Sequence, residues 1–191
     1  MLLSAMAKPS PSLTTWRSDM ERRASIELRA AGRKLEGYAA IFGQDTRIRD
    51  FTEVILPGAF TQTLAEGKDI LALADHDQRA VLARTRSGTL RLAEDTRGLH
   101  FELDVPNTSA GRDILELAER GDVGGASFGF TVPKDGERWA ADRRELRSIN
   151  LHEISIVSAH PAYDGTIVTA RRRPAAFGKL VAARHFIESC M

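Results

Sequence analysis

The chain has 191 residues, a formal net charge of +1 at pH 7, 42% hydrophobic residues and 28% charged residues. These values are typical of a globular domain with flanking segments, and the near-zero net charge gives no field that would favour nucleic acid or a membrane surface. Cys190 is the one cysteine, which excludes an internal disulfide framework and is typical of a reducing compartment.

Most of the chain consists of short alternating segments separated by turn residues. Alternation of apolar and polar residues between Gly, Pro, Asn or Asp predicts β-strands. The predicted strands are residues 25–31, 34–42, 51–55, 68–76, 80–84, 89–93, 99–105, 124–131, 139–149 and 151–157. Residues 46–50 are predicted to be a polar loop.

Two segments between the strands have helical character. Residues 59–65 predict a short helix that ends at Gly67. A second helix is predicted after Thr108, with an apolar stripe that includes Ile114 and Leu115 and with Gly121 as the residue that follows its end.

The sum of these elements predicts a mainly β fold with some α (α+β). We expect a closed or nearly closed antiparallel β-barrel surrounded by a few helices. Residues 1–22 are predicted to be a flexible lead-in, residues 23–170 the domain, and residues 171–191 a tail that forms at most a loose helix. No run approaches the roughly 18 apolar residues of a membrane-spanning helix.

Ser127 lies in the stretch Gly124 to Phe130, where small and bulky residues alternate. In a strand, Phe128 and Phe130 face one side, and Ser127 and Gly129 face the other, nearly bare side. Another chain can therefore approach the serine closely. Taken alone, the pattern favours a buried strand with a tolerated serine over a catalytic serine.

Two further segments supply the partners that a nucleophilic serine needs. His76 ends an apolar run, on the same face as Ile70, Ala72 and Ala74, and is flanked by acids. Alternation places Glu153 on one face with Leu151, Ser155 and Val157, where an unpaired carboxylate is unfavourable. A serine, a histidine and an acid on separate strands can act as nucleophile, base and orienting acid.

Several neighbouring residues are weaker candidates. Asp75 and Asp77 are expected to be turn residues or charges around the site. His152 falls on the opposite face from Glu153 in a regular strand, whereas Ser155 shares that face and is a candidate support for the acid. No pair of His or Cys residues has metal-ligand spacing, so neither a metal nor another cofactor is expected.

Order and spacing of motifs from about residue 35 to residue 163 resemble the prohead (procapsid maturation) serine proteases of tailed bacteriophages. The matching motifs are Gly37-Tyr38-Ala39-Ala40-Ile41-Phe42, Ile55-Leu56-Pro57-Gly58-Ala59-Phe60, His76-Asp77, Gly88-Thr89-Leu90 with Asp95 and Gly98-Leu99, Ser127-Phe128-Gly129-Phe130, and Glu153-Ile154-Ser155-Ile156-Val157 with Pro161-Ala162-Tyr163. One departure is Ala83, where the family often has glycine.

The resemblance implies a serine endopeptidase similar in fold to the herpesvirus assembly protease. It implies Ser127 as nucleophile, His76 as base and Glu153 as the orienting acid. In the herpesvirus relatives the third member is a histidine, so His152 is the other candidate for that role. The implied substrates are the major capsid protein with its scaffolding segment and the enzyme itself, inside the assembling procapsid in the host bacterial cytoplasm. A homo-oligomer is possible in such a family, and neither nucleic acid nor membrane is an implied partner.

Two other functions compete with this interpretation. One is a non-catalytic scaffold or minor capsid protein on the same fold, which the joint presence of Ser127, His76 and Glu153 disfavours. The other is a hydrolase of small esters, which the lack of a G-x-S-x-G elbow and of strand–helix alternation disfavours.

Overall fold

The computed structural model of the protein describes residues 20–25, 27–48 and 50–158. Predictions for the start of the lead-in and for the tail at residues 171–191 lie outside these residues. The strands of the described part are β1 (Glu21–Ser25), β2 (Glu27–Ala31), β3 (Lys34–Ile41), β4 (Thr46–Ile48), β5 (Phe51–Ile55), β6 (Leu71–Ala74), β7 (Asp77–Arg84), β8 (Leu90–Glu94), β9 (Gly98–Asp104), β10 (Gly125–Thr131), β11 (Glu137–Ala140), β12 (Arg143–Leu146) and β13 (Asn150–Val157). The helices are α1 (Thr61–Ala65) and α2 (Ser109–Arg120).

The strands form three separate sheets. The first sheet has the order β1-β10-β13-β6-β7, the second β11-β12-β5-β4, and the third β2-β3-β9-β8. Most neighbours are antiparallel, but β13 pairs with β6 and β12 pairs with β5 in parallel.

The predicted closed or nearly closed antiparallel barrel is therefore wrong, although the mainly β character is right. Within the described residues, none of the three sheets closes on itself. Alternation along a strand specifies which face is buried, but it does not specify which strands pair or in which direction. The two parallel pairs join segments that are far apart in sequence, and no local signal marks such pairs.

Local sequence signals are more successful at the hairpins. The segments predicted as strands on either side of Gly32 pair as β2 and β3, and those on either side of Asp95 pair as β8 and β9. The loop predicted at residues 46–50 is wrong in part, because β4 occupies Thr46–Ile48 and pairs antiparallel with β5. β4 forms because it pairs with β5, and not because its own residues alternate between apolar and polar.

The predicted second helix is confirmed with both of its end signals. Thr108 caps α2 by accepting a hydrogen bond from the Gly111 N–H at 3.2 Å. Gly121 ends the helix with a φ of 79°, in the left-handed region that glycine adopts without strain. Ile114 and Leu115 are buried, so α2 covers the sheets with the predicted stripe.

Aromatic side chains fill the core beneath the first sheet. Phe60, Phe101, Phe128 and Phe130 are fully buried. The rings of Phe60 and Phe128 meet edge to face with centroids 5.7 Å apart, and those of Phe128 and Phe130 stack at 5.2 Å. This packing fixes one face of β10 and leaves the other face for the site described below. Neither helix of the described part is long and apolar enough to cross a membrane.

Candidate active site

Ser127 lies on β10, inside the first sheet between β1 and β13. Its side chain projects from the face opposite Phe128 and Phe130, as the alternation predicts, and the residue is only 3% exposed. Directly across the antiparallel pair of β10 and β13, Ser127 lies opposite Ser155. The serine is thus held on a rigid strand, with its hydroxyl on the face away from the aromatic core.

Regular pairing with β10 places Glu153 on the face of Ser127, and a β-bulge beside it moves Leu151 to the opposite face. Gly129 pairs with Glu153, but Phe130 pairs with Leu151, so His152 is an extra residue on β13. Residues directly opposite each other share a face, so Leu151 lies with Phe130 in the core and Glu153 lies with Gly129. The expectation that Leu151 and Glu153 share a face is wrong because it assumed a regular strand.

His76 lies in the tight turn between β6 and β7, and not on the strand that was predicted for it. Ala74 pairs with Asp77, which leaves Asp75 and His76 as the two turn residues. Both have positive φ values, 48° and 59°, as the central residues of type I′ hairpin turns do. The turn therefore points His76 away from Ile70, Ala72 and Ala74, which are buried in the core.

Asp75 fastens this turn to the end of β13. Its N–H donates to the Ile156 carbonyl at 2.9 Å, and its carboxylate accepts hydrogen bonds from the Ser158 N–H at 2.7 Å and from the Ser158 hydroxyl. The expectation that Asp75 is a turn residue is confirmed. Its contacts fix the position of His76 relative to the strand that carries Glu153.

The imidazole of His76 and the carboxylate of Glu153 are in direct contact. His76 Nδ1 lies 2.7 Å from Glu153 Oε1. An ionised carboxylate only accepts hydrogen bonds, so Nδ1 donates and the neutral ring keeps an unprotonated Nε2. The arrangement thus prepares Nε2 as a proton acceptor.

Glu153 is 5% exposed but remains easy to ionise. Burial opposes ionisation, but it is outweighed by the hydrogen bond from His76, by the charge that the imidazole carries when protonated, and by Arg22, which together hold the pKa of Glu153 below its usual range. Arg22 is half-exposed on β1, and its Nε lies 3.3 Å from the same Oε1. Arg22 was not predicted as part of the site, because nothing local in the sequence links residue 22 to residue 153.

Gly129 makes room for the acid. A β-carbon at this position would lie 2.8 Å from Cγ and 2.9 Å from Oε1 of Glu153, closer than real side chains pack. The bare face of β10 was expected to admit another chain, but beside Gly129 that space holds the carboxylate. The alternation of residues predicted that this face of β10 lacks large side chains, but it did not predict that the Glu153 carboxylate lies there.

Ser127 and His76 lie on the same side of the first sheet but form no hydrogen bond with each other. Within the part of the chain that the structure describes, no hydrogen bond joins Ser127 Oγ to the imidazole. Such contacts are often long in enzymes without substrate and shorten in the reacting complex. The Gly124 N–H, just before β10, donates a hydrogen bond to the Val157 carbonyl at 2.8 Å and is thus engaged within the sheet.

His152 lies apart from this arrangement. Its Nε2 forms a hydrogen bond with Thr131 Oγ1 at 2.9 Å, and burial lowers the pKa of its imidazole. Asp77 bonds the backbone N–H of Arg79 at 2.9 Å and is therefore engaged within its own strand. Of the candidate third members, Glu153 is thus the one that contacts His76.

Comparison with known proteins gives one family and one curated relative. The family model described as caudovirus prohead serine protease matches residues 18–179, which include Ser127, His76 and Glu153. The prohead protease of Enterobacteria phage HK97 is 32% identical over 123 residues, covering 63% of this chain and 52% of that protein. The matched region thus spans about half the length of this relative. No solved structure matches the chain.

Proposed function

Because the chain belongs to the caudovirus prohead serine protease family, we propose that it is a serine endopeptidase of procapsid maturation. The observation that carries this proposal is the 2.7 Å contact of His76 Nδ1 with Glu153 Oε1, on the sheet face that also bears Ser127. In the proposed assignment Ser127 is the nucleophile, His76 the general base and acid, and Glu153 the orienting acid.

The reaction begins when Ser127 Oγ attacks the scissile carbonyl carbon. His76 Nε2 takes the Ser127 proton as the new carbon–oxygen bond forms, and the imidazolium then gives that proton to the leaving amine as the carbon–nitrogen bond breaks. A water molecule, activated by the same imidazole, hydrolyses the acyl-enzyme. Glu153 holds the ring in the required tautomer and stabilises the imidazolium, and its low pKa keeps it ionised for that role.

The proposed substrates are the major capsid protein with its scaffolding segment and the enzyme itself. The enzyme would act inside the assembling procapsid, within the host bacterial cytoplasm. Self-cleavage is expected within residues 1–22 and 171–191, and an intact mass of the mature protein that still contains both segments would count against it.

A non-catalytic scaffold or minor capsid protein is the alternative. In that case the contact of His76 with Glu153 would be a structural ion pair that closes the turn onto β13. The two functions differ in what happens to the capsid protein, because a scaffold supports assembly without cutting its partner.

Coexpression with the phage's own capsid protein tests the proposal. We expect wild-type protein to shorten the capsid protein and Ser127→Ala to leave it at full length, as measured by mass spectrometry of isolated particles. Ser109→Ala is the matched control, because Ser109 is an exposed serine at the start of α2. Full cleavage by the Ser127→Ala protein would overturn the assignment, and assembly without cleavage by the wild type would favour the scaffold.

A further inference from the structure

Ser155 is a buried hydroxyl without a hydrogen-bond partner among the residues that the structure describes. The residue is 0% exposed, and its Oγ has no donor or acceptor within reach in that part of the chain. A buried hydroxyl that stays unpaired destabilises a fold, and alanine would fill the same place without that penalty. Its presence therefore needs an explanation other than stability.

The position of Ser155 supplies a partner. Ser155 on β13 lies directly opposite Ser127 on β10, and directly opposite β-carbons are about 4.5–5.5 Å apart. The two side chains share a face, so rotation about χ1 of each serine can bring the two hydroxyls within hydrogen-bond distance. The expected support of Glu153 is not observed, since Ser155 Oγ forms no hydrogen bond with that carboxylate.

We propose that Ser155 is a positioning residue whose hydroxyl donates a hydrogen bond to Ser127 Oγ. This inference rests on the proposed function, in which Ser127 is the nucleophile. With its lone pair engaged by Ser155, Ser127 Oγ turns its own proton toward His76 Nε2. The result is a polar chain along one face of the first sheet, from Ser155 through Ser127 and His76 to Glu153.

The hydrogen bond from Ser155 contributes most during the reaction, when the charge on Ser127 Oγ changes. As His76 removes the Ser127 proton, negative charge grows on Ser127 Oγ, and a hydrogen bond to a charged oxygen is stronger than one to a neutral hydroxyl. Ser155 keeps its own proton throughout and contacts the substrate only through Ser127. Its loss should therefore slow the reaction of Ser127 while leaving the fold intact.

The test measures the second-order rate constant for labelling of Ser127 by a fluorophosphonate, together with the thermal unfolding midpoint. We expect Ser155→Ala to react about tenfold more slowly than wild type. Its unfolding midpoint should change little, because Ser127 Oγ keeps His76 as a hydrogen-bond partner. Ser155→Thr keeps the hydroxyl and should recover most of the rate.

Thr63→Val is the matched control for a buried hydroxyl. Thr63 is 1% exposed, and its Oγ1 accepts a hydrogen bond from the Leu151 N–H at 3.1 Å. Removing this satisfied hydroxyl should lower the unfolding midpoint and leave the labelling rate unchanged. Ser155→Ala should thus show the opposite combination of effects.

Two results would overturn the inference. One is labelling of Ser155→Ala at the wild-type rate, and the other is a lower unfolding midpoint with the rate unchanged, as for a purely structural hydroxyl. If the wild-type protein itself is not labelled at Ser127, the proposed function fails instead, so the two failures are distinguishable.

Discussion

Two buried glutamates, Glu53 and Glu153, are held by adjacent arginines of β1 but have different neighbours. Glu53 is 2% exposed and accepts hydrogen bonds from Arg23 Nε at 2.6 Å and Nη2 at 2.9 Å. Arg144 Nη1 adds a contact at 3.0 Å. Glu153 instead shares one oxygen between Arg22 and His76. Because Arg22 and Arg23 are consecutive in a strand, they serve opposite faces of the first sheet.

The surroundings of Glu53 form a closed set of charges, here called the arginine cluster. Arg144 also donates to Glu21 at 2.7 Å and to Glu137 at 2.6 Å, which ties β1 to the second sheet. Burial raises the pKa of Glu21, but the hydrogen bond and charge of Arg144 outweigh it and hold that pKa below its usual range. The members are Glu21, Arg23, Glu53, Glu137 and Arg144.

The difference lies in what the partner can do with a proton. A guanidinium stays charged throughout the working pH range, so the arginine cluster can hold structure but cannot transfer protons. An imidazole takes up and releases a proton near neutral pH, so the carboxylate of Glu153 is coupled to a group that can carry out chemistry. Burial of an acidic residue alone therefore does not identify an active site. The residue that the acid contacts determines whether it can take part in chemistry.

Removal of His76 should give the largest effect on rate. In the proposed mechanism, His76→Ala loses the general base, so we expect fluorophosphonate labelling to fall by about 10² to 10⁴-fold. The thermal unfolding midpoint should fall only modestly, because the buried carboxylate of Glu153 loses the contact with His76 but keeps the one with Arg22. His100→Ala is the control: His100 packs against Tyr38 with ring centroids 5.2 Å apart, outside the described contacts of the site, and should label normally.

The matching change in the arginine cluster should affect stability instead. Glu53→Gln leaves Arg23 and Arg144 without their buried counter-charge, so we expect a loss of about 3–5 kcal/mol in the free energy of unfolding by urea. Glu102→Gln removes an exposed partner of Arg91 and should change that free energy by less than about 1 kcal/mol. Equal effects of the two changes would remove the distinction between the buried cluster and a surface pair.

The pH dependence of stability should reveal the pairing of Glu153. Its pKa is lower in the folded protein than the value of 4.5 for the free side chain, so the unfolded chain binds the proton more readily. The contribution of Glu153 is therefore fully present above about pH 4.5 and is lost as the pH falls through the lower folded pKa. We expect the stability difference between wild type and Glu153→Gln to shrink on acidification. A difference that grows as the pH falls would contradict the assigned pairing.

Replacement of Arg22 should have the smallest effect on both stability and labelling rate. It is half-exposed, so solvent screens its ion pair with Glu153, and Arg22→Gln should change the free energy of unfolding by less than about 1 kcal/mol. The labelling rate should change by only a few-fold, since His76 still contacts the acid. A loss as large as that of His76→Ala would mean that the arginine, and not the imidazole, governs the carboxylate.

The fold was predictable where local chemistry decides it. Gly121 and Thr108 mark the ends of α2, and alternation around Ser127 separates its face from that of Phe128. The pairing of β13 with β6 was not predictable, because it depends on contacts between distant segments. For that reason the expected barrel is replaced by three open sheets.

The candidate site, like the fold, was predictable only in part. Residue types and family motifs singled out Ser127, His76 and Glu153. They did not reveal the bulge that puts Leu151 on the opposite face from Glu153, the positive φ of His76, or the space that Gly129 leaves for the carboxylate. Each of these depends on backbone geometry that one strand acquires only beside another.

The most direct test of the proposed serine, histidine and glutamate arrangement is to map the site of a fluorophosphonate adduct by peptide mass spectrometry. The account predicts an adduct on Ser127 of the folded wild-type protein, and its near absence both in urea-unfolded protein and in His76→Ala. An adduct on a different serine, or equal labelling of Ser127 in wild type and His76→Ala, would contradict it.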